Sequence, residues 1–269
     1  MDVSLVIINF NTFKLTCACI DSILKHTSGL NFEIILVDNA SAGSDCEKFK
    51  ELFPAVNLIM SKRNLGFSKG NNLGIASAKG KYILLLNSDT LLKENSIKIT
   101  FDYLENHSKA AVVSARLIFM NGWHQSCCQR FPSILYMMFE ILRLQKFISK
   151  DKTGKILLGF YFNYNENTKA DWVWGTYFMF RSNLLELLPN KKLNEDFFMY
   201  HEDMQWCMDF KRLGYEIHYC ADTEIIHLMG GSLGDKNIMM KRNYNLFLQK
   251  NYNFIHRGII QFLNRLLSI

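Results

Sequence analysis

Four stretches of the chain place reactive side-chain types where they could do chemistry. Asp89 follows five apolar residues and two small polar ones (Tyr82 to Ser88). A carboxylate there is costly unless it is paired or holds a cation. A hard divalent cation takes oxygen ligands and bridges phosphates with few protein ligands. The position equally suits a cap for the helix expected near Lys93, so residue type alone leaves both roles open. Glu202 and Asp203 follow Tyr200-His201 and open a stretch whose apolar face includes Trp206, Cys207, Met208 and Phe210. The helix dipole stabilises adjacent carboxylates at that end. It also keeps them ionised, and an ionised carboxylate can accept a proton from a hydroxyl. His227 follows Ile225-Ile226 and precedes Met229-Gly230-Gly231-Ser232. A lone histidine is commonly structural, but a Gly-Gly turn beside it points to a close backbone approach. Finally, Asn64–Gly74 (NLGFSKGNNLG) flanks a helix start with glycines and carries donors at Asn64, Lys69, Asn71 and Asn72. Such a loop can cradle a phosphate or a sugar, and also reads as a plain turn and cap.

The elements that must position these residues alternate. Continuous β-branched and aliphatic runs at 3–9, 32–38, 56–60 and 81–87 read as strands buried on both faces. Between them, helical patterns cover about 12–26, 44–53 and 68–78. Thr12 opens the first, and Ser44 with Glu47 forms a capping box for the second. This βαβ spacing predicts a mostly parallel sheet. The second half is less regular. Helices are expected over 94–106, 133–148 and 201–213, and strands over 110–119, 171–181 and 215–227. We expect one domain over 1–232, then a helical tail over 233–269.

Ligands of open parallel sheets bind beyond the carboxyl ends of the strands. Those ends read Asn9-Phe10-Asn11, Asp38-Asn39-Ala40-Ser41 and Asn87-Ser88-Asp89-Thr90. None contains glycine, so the glycine-rich phosphate turn of dinucleotide-binding, methyltransferase and P-loop proteins is missing.

Composition adds exclusions. With 49% hydrophobic and 21% charged residues among 269, the chain is ordinary globular protein, not disordered or coiled-coil. Seven cysteines without a C-x-x-C pair argue against a disulfide scaffold or a zinc site. With no signal-like start and no long apolar run, a reducing cytoplasm is the expected compartment. Residues 236–269 hold Lys236, Lys241, Arg242, Lys250, Arg257 and Arg265 with no Asp or Glu, which accounts for the whole formal charge of +6. The same segment carries Phe254, Ile259, Ile260, Phe262, Leu263, Leu266 and Leu267 at mixed helical spacing. Basic and amphipathic together favour an anionic membrane surface over nucleic acid. A helix packed on the core with solvated cations fits the pattern equally.

Taken jointly, VIINFNT (6–12), ILVDNAS (35–41), NLGFSKGNNLGI (64–75), GKYILLLNSDT (80–90), WVWGTYFMFR (172–181), FFMYHEDMQWCMDFKRLGYEIHY (197–219) and IIHLMGGS (225–232) resemble family 2 glycosyltransferases, in the family's order. The nearest branch looks like bacterial rhamnosyltransferases of surface-polysaccharide assembly. The resemblance implies the α/β GT-A fold over 1–232, with a nucleotide-binding half to about 106 and an acceptor half over about 107–232. It implies that Asn9 and Asp38 contact the nucleotide, Asp38 at the base, and that Asn64, Gly66 and Asn71 lie in the nucleotide-contacting loop with Asn87 nearby. It makes Asp89 the last acid of a D-x-D metal motif, His227 a second metal ligand, and Asp203 the general base with Glu202 beside it. Trp174 and Gly175 fall on the acceptor side. Two departures are visible: Asn87 where other branches have Asp, and Ser88 where this branch often has Pro.

The implied activity is inverting, Mg²⁺- or Mn²⁺-dependent glycosyl transfer. The donor is expected to be dTDP-L-rhamnose and the acceptor an undecaprenyl-diphosphate-linked saccharide of O-antigen, capsule or cell-wall synthesis. The implied location is peripheral, on the inner face of the cell membrane. Three alternatives are weighed against it. One is another family 2 enzyme using a UDP-sugar. A non-catalytic saccharide- or membrane-binding relative would be expected to lose Asp89 or Asp203. A sugar-nucleotide pyrophosphorylase would need a basic, glycine-rich loop after the first strand.

Overall fold

The computed structural model describes residues 1–43, 45–229 and 236–267. The first half alternates β1 (Val3–Asn9), α1 (Phe13–His26), β2 (Phe32–Asp38), α2 (Asp45–Leu52), β3 (Asn57–Met60), α3 (Gly66–Ile75) and β4 (Tyr82–Asn87). Then follow β5 (Thr90–Leu92), α4 (Ser96–Asn106), β6 (Ala110–Ile118), β7 (Cys128–Gln129), α5 (Ile134–Ile141) and α6 (Lys150–Leu157). Next come β8 (Thr168–Ala170), β9 (Trp172–Val173), β10 (Tyr177–Arg181), α7 (Glu202–Arg212) and β11 (Glu216–His227). The chain ends in α8 (Lys236–Asn251) and α9 (Phe254–Leu266).

The strands of the first half pair in parallel in the order β3-β2-β1-β4, as the βαβ spacing predicts. β10 then joins antiparallel between β4 and β6, and β11 runs parallel to β6 and antiparallel to β5 and β8. The result is a mixed sheet that is parallel across the strands of the first half. The apolar runs of β1, β2, β4 and β6 are buried on both faces, which is why they carry no alternation. Each such aliphatic side chain contributes about 1.5–3 kcal/mol by leaving water. The seven cysteines are free, and six of them are buried.

Several local expectations change. Ser44 and residues 230–235, including Gly230, Gly231 and Ser232, lie outside the described residues, as does the boundary expected at 232. Thr12 precedes α1 without capping it. Its hydroxyl donates instead to Asn9 Oδ1 (3.1 Å). The helix expected over 133–148 stops at Ile141, because Arg143 adopts left-handed backbone (φ 54°) before a short 3₁₀ turn over 144–146. The strand expected over 171–181 breaks at Trp174-Gly175-Thr176. There the Trp174 amide still continues the β7–β9 register to Cys127 O (3.0 Å), and the Gly175 amide turns away to Asp203 Oδ2 (2.9 Å). The tail is two helices, the second opened by Asn253, whose side chain accepts from the His256 amide (3.0 Å).

Both tail helices are packed on the body. Phe247, Leu248, Ile260 and Leu263 join Met137 of α5, Met204 of α7 and Phe197 in a second apolar cluster beside the main core. Packing on the core, one of the two readings open from sequence, is therefore the observed arrangement. It still leaves Ile255, Ile259, Phe262 and Leu266 of α9 exposed.

Candidate active site

Sheet register brings the candidate residues together. Asn9 pairs with Asp38 across β1 and β2, and Ile8 pairs with Asn87 of β4, so three polar strand ends lie side by side. On the other side, His227 at the end of β11 pairs antiparallel with Thr90 of β5. The Leu228 amide donates to Asp89 O (2.9 Å), closing the two strand ends on each other. His227 Nε2 consequently lies 3.5 Å from Asp89 Oδ1, with both side chains almost wholly buried.

The tautomer of His227 follows from Gln125. The Gln125 amide nitrogen donates to His227 O (3.0 Å), which turns its Oε1 toward His227 Nδ1 (2.7 Å). A carbonyl oxygen accepts only, so Nδ1 carries a proton, and in the Nδ1–H tautomer Nε2 presents its lone pair toward Asp89. A lone pair facing a carboxylate suits a shared cation. Nearby, Asn87 Oδ1 is buried without a hydrogen-bond partner among the described residues. No group of three or more His, Cys, Asp or Glu gathers among the described residues. The donors present fit one divalent cation, which Asp89 and His227 would hold.

A cavity of about 440 Å³ opens over this pair. Asn64, Gly66, Asn87, Asp89, Trp174, Gly175, Glu202, Asp203 and His227 all line it. Asn9, Asp38 and Asn71 do not. Asn9 Nδ2 donates to Asp38 Oδ1 (2.6 Å), and Asp38 Oδ2 accepts from the Ser41 amide (3.1 Å). Asn71 donates back to Phe67 O in its own helix (3.0 Å).

Asp203 stands across the cavity, in the first turn of α7. Its Oδ2 accepts from the Gly175 amide (2.9 Å) and its Oδ1 from the Met204 amide (2.8 Å). Burial pushes its carboxyl up to about 6, while these amide bonds pull the other way. Burial raises Glu202 further, with the Asp203 charge adding to it, and Glu202 Oε2 has no hydrogen-bond partner among the described residues. Burial thus holds both acids above the ordinary carboxylate range, and the Asp203 charge adds to the rise at Glu202.

Gly66 shows why a glycine is needed. At φ 76°, a Cβ there would meet Phe198 O at 2.3 Å. The adjoining Phe67 amide donates to that same oxygen (2.7 Å), tying the 64–66 loop to the segment that enters α7.

Sequence reasoning passed over several residues. Asn39 binds the 64–66 loop through the Leu65 amide (2.8 Å), Asn64 Oδ1 (3.0 Å) and Gly66 O (3.2 Å). Its signal was its place in ILVDNAS at a strand end. Gln125 lies in an irregular loop and gave no signal. Lys236 and Met240 of α8 also line the cavity, although the tail pattern was read only for charge and apolarity.

Over 114 residues the chain is 33% identical to glycosyltransferase GlyG of Streptococcus pneumoniae serotype 4, covering 41% of this chain and 38% of GlyG. It is 32% identical over 119 residues to the minor teichoic acid biosynthesis protein GgaA of Bacillus subtilis, 41% of this chain and 27% of that one. With rhamnosyltransferase WbbL of Escherichia coli it shares 26% over 172 residues, 60% of each. The matches thus span less than two thirds of these relatives' own lengths. Among solved structures, S. aureus TarS 1-349 in complex with UDP-GlcNAc superposes with a TM-score of 0.60 at 18% identity, covering all of this chain and 73% of that one. GalNAc-T7 with UDP, GalNAc and Mn²⁺ gives 0.66 at 13% identity, over 92% of this chain and 48% of that one. These likenesses establish the GT-A fold. The model of glycosyl transferase family 2 matches residues 4–188, more than half of the sequence, and the chain belongs to that family.

Proposed function

We propose that the protein is an inverting glycosyltransferase that uses a nucleoside-diphospho-sugar to build a surface or cell-wall polysaccharide. The observation that carries this reading is the cavity with Asp89 and His227 on one wall and Asp203 on the other. A divalent cation, Mg²⁺ or Mn²⁺, held by Asp89 and His227 supplies charge stabilisation to the departing diphosphate. Gln125 fixes the His227 ring for that contact. Asp203, held by the Gly175 and Met204 amides, takes the proton of the acceptor hydroxyl as that oxygen attacks the anomeric carbon. A single displacement from the opposite face inverts the anomeric centre. Burial favours the protonated form of Glu202 beside it, and in that form its carboxyl can donate a hydrogen bond.

The finer identities are also proposals. The likeness to rhamnosyltransferase WbbL supports L-rhamnose from dTDP-L-rhamnose, whereas the TarS complex with UDP-GlcNAc supports a UDP-sugar. We place the rhamnosyl donor first, because the quoted motifs most resemble that branch. The nucleotide then contacts the strand ends, with Asp38 and Asn9 reached after Ser41 moves off them, and Asn71 near the same loop. Trp174 and Gly175 face the acceptor, an undecaprenyl-diphosphate-linked saccharide.

Such an acceptor places the protein at the inner face of the cell membrane, and the surface has features that suit an anionic bilayer. α5 and α9 pack on each other, and each leaves apolar side chains exposed: Leu135 and Leu142 on α5, and Ile255, Ile259, Phe262 and Leu266 on α9. In sequence, Arg143, Lys146 and Lys150 follow α5, and α9 carries Arg257 and Arg265 and no acidic residue. No described helix is long and apolar enough to cross a membrane, so contact would be peripheral. Release of nucleoside diphosphate from a donor panel tests the reaction, and flotation with liposomes tests the location.

A further inference from the structure

The turn that delivers Asp203 to the cavity is conformationally unusual. Tyr200 and His201, neither of them glycine, both adopt left-handed backbone (φ 70° and 68°) immediately before α7. Two such residues in succession persist only where their surroundings hold them. On one side the holder is the start of α3, through the Phe67 amide on Phe198 O (2.7 Å). On the other side it is the tail. Asn243 of α8, buried to 7% exposure, donates through the same Nδ2 to Met199 O (2.6 Å) and Tyr200 O (3.2 Å). The amide suits this role chemically: one nitrogen carries two N–H groups and can serve two successive carbonyls. Further along the same helix, Asn251 Nδ2 donates to Gln205 Oε1 of α7 (2.8 Å), and Lys250 pairs with Asp196. The Tyr244 ring lies 5.7 Å from the His201 ring. α8 thus follows the segment that enters α7 from Asp196 to Gln205.

We infer that Asn243 is a positioning residue for the transfer reaction. It clamps the 199–201 turn so that Asp203 stays on the Gly175 amide and faces the acceptor. The tail is thereby part of the acceptor side of the site, 40 residues downstream of the acid it positions. This inference rests on the reading of Asp203 as the general base.

The test replaces Asn243 by Leu, which is close in shape but has no donor, and by Gln, which keeps both N–H groups on a longer stem. Hydrogen exchange of the full-length protein gives a readout that needs no substrate. The Gly175 amide is protected by its bond to Asp203. In Asn243→Leu its peptide and the 199–205 peptide should exchange at least about 10-fold faster. Exchange in β4 should be unchanged, and Asn243→Gln should recover part of the protection. With dTDP-L-rhamnose, or whichever panel donor the native protein turns over fastest, kcat in Asn243→Leu should fall at least about 10-fold. The donor KM should stay within about twofold. The acid limb of the pH profile should move upward, since the Gly175 amide no longer lowers Asp203. A folded Asn243→Leu protein with native protection at Gly175 and a native acid limb would overturn the clamp. Equal losses of exchange protection across β4 and the 199–205 segment would also overturn it, in favour of a merely structural tail. If Asp203→Asn itself kept native turnover, the reading of the base would fail, whatever the Asn243 variants did.

Discussion

The Gly175 amide donates to Asp203 Oδ2 over 2.9 Å, so a break in a strand and the first turn of a helix share one hydrogen bond at the cavity wall. The bond fixes the carboxylate without neutralising it, and it explains why the strand expected over 171–181 is interrupted where it is. A Cβ at Gly175 would meet the Phe67 ring at 3.1 Å and the Asp203 Cβ at 3.5 Å, so there is little room for a side chain.

The first prediction concerns this acid. Asp203→Asn keeps the shape but cannot take a proton. Turnover should fall by roughly 10²–10⁴, while nucleoside diphosphate binding by calorimetry stays native. Near-native turnover would reduce Asp203 to a helix-start carboxylate.

pH dependence follows from burial. Because Asp203 titrates near 6, kcat/KM should rise with pH through about 6 and level off above it. The sign for stability is opposite. The folded pKa lies above the ordinary 3.8, so ionising Asp203 costs stability as pH rises from about 3.8 to about 6. Asp203→Asn should therefore gain thermal stability relative to the native protein as pH rises across that window. Glu202→Gln should leave the acid limb in place, because burial and the Asp203 charge both favour the protonated form of Glu202. A limb displaced downward by that substitution would show an ionised Glu202.

The histidine's geometry makes a separate claim. Gln125→Leu frees the His227 ring to turn. Affinity for Mn²⁺ in the presence of nucleoside diphosphate, read by electron paramagnetic resonance, should drop about 10–100-fold. Asp89→Ala should abolish that binding, and EDTA should silence the native enzyme. Full activity in EDTA would remove the cation from the account.

The tail supplies a contrast between buried and exposed aromatics. Phe247 is fully buried, and Phe247→Ala should cost about 3–5 kcal/mol of stability. Phe262 is 58% exposed, and Phe262→Asp should leave the melting temperature nearly native. It should weaken flotation with anionic liposomes at low salt. Each cation near such a surface is worth about 1 kcal/mol, so flotation should also fade with salt. A native protein that fails to float at low salt contradicts the membrane proposal.

Much of this architecture is legible in the sequence because its causes are local. The doubly buried strands announce themselves as unbroken aliphatic runs, and polar residues at their ends mark the binding edge. Asp89, Glu202, Asp203 and His227 are visible as costly residue types in apolar company. What is not legible depends on contacts between distant segments. Gln125 reaches His227 across 102 positions and Asn243 reaches Met199 across 44, and neither carries a pattern of its own. The break at Gly175 likewise reflects a distant contact, the bond of its amide to Asp203 across 28 positions. The charge pattern of the tail left membrane and core equally open, because an amphipathic helix has the same spacing in either setting.

The central claim is metal-dependent transfer from a nucleotide-sugar with Asp203 as base. The most direct measurement is nucleoside diphosphate release from a panel of donors, dTDP-L-rhamnose and UDP-sugars included, with a lipid-linked saccharide acceptor and Mg²⁺ or Mn²⁺. The account predicts acceptor-dependent release from at least one donor, abolished by EDTA and reduced at least about 100-fold in Asp203→Asn. Release that persists in both EDTA and Asp203→Asn, or none from any donor, would contradict it.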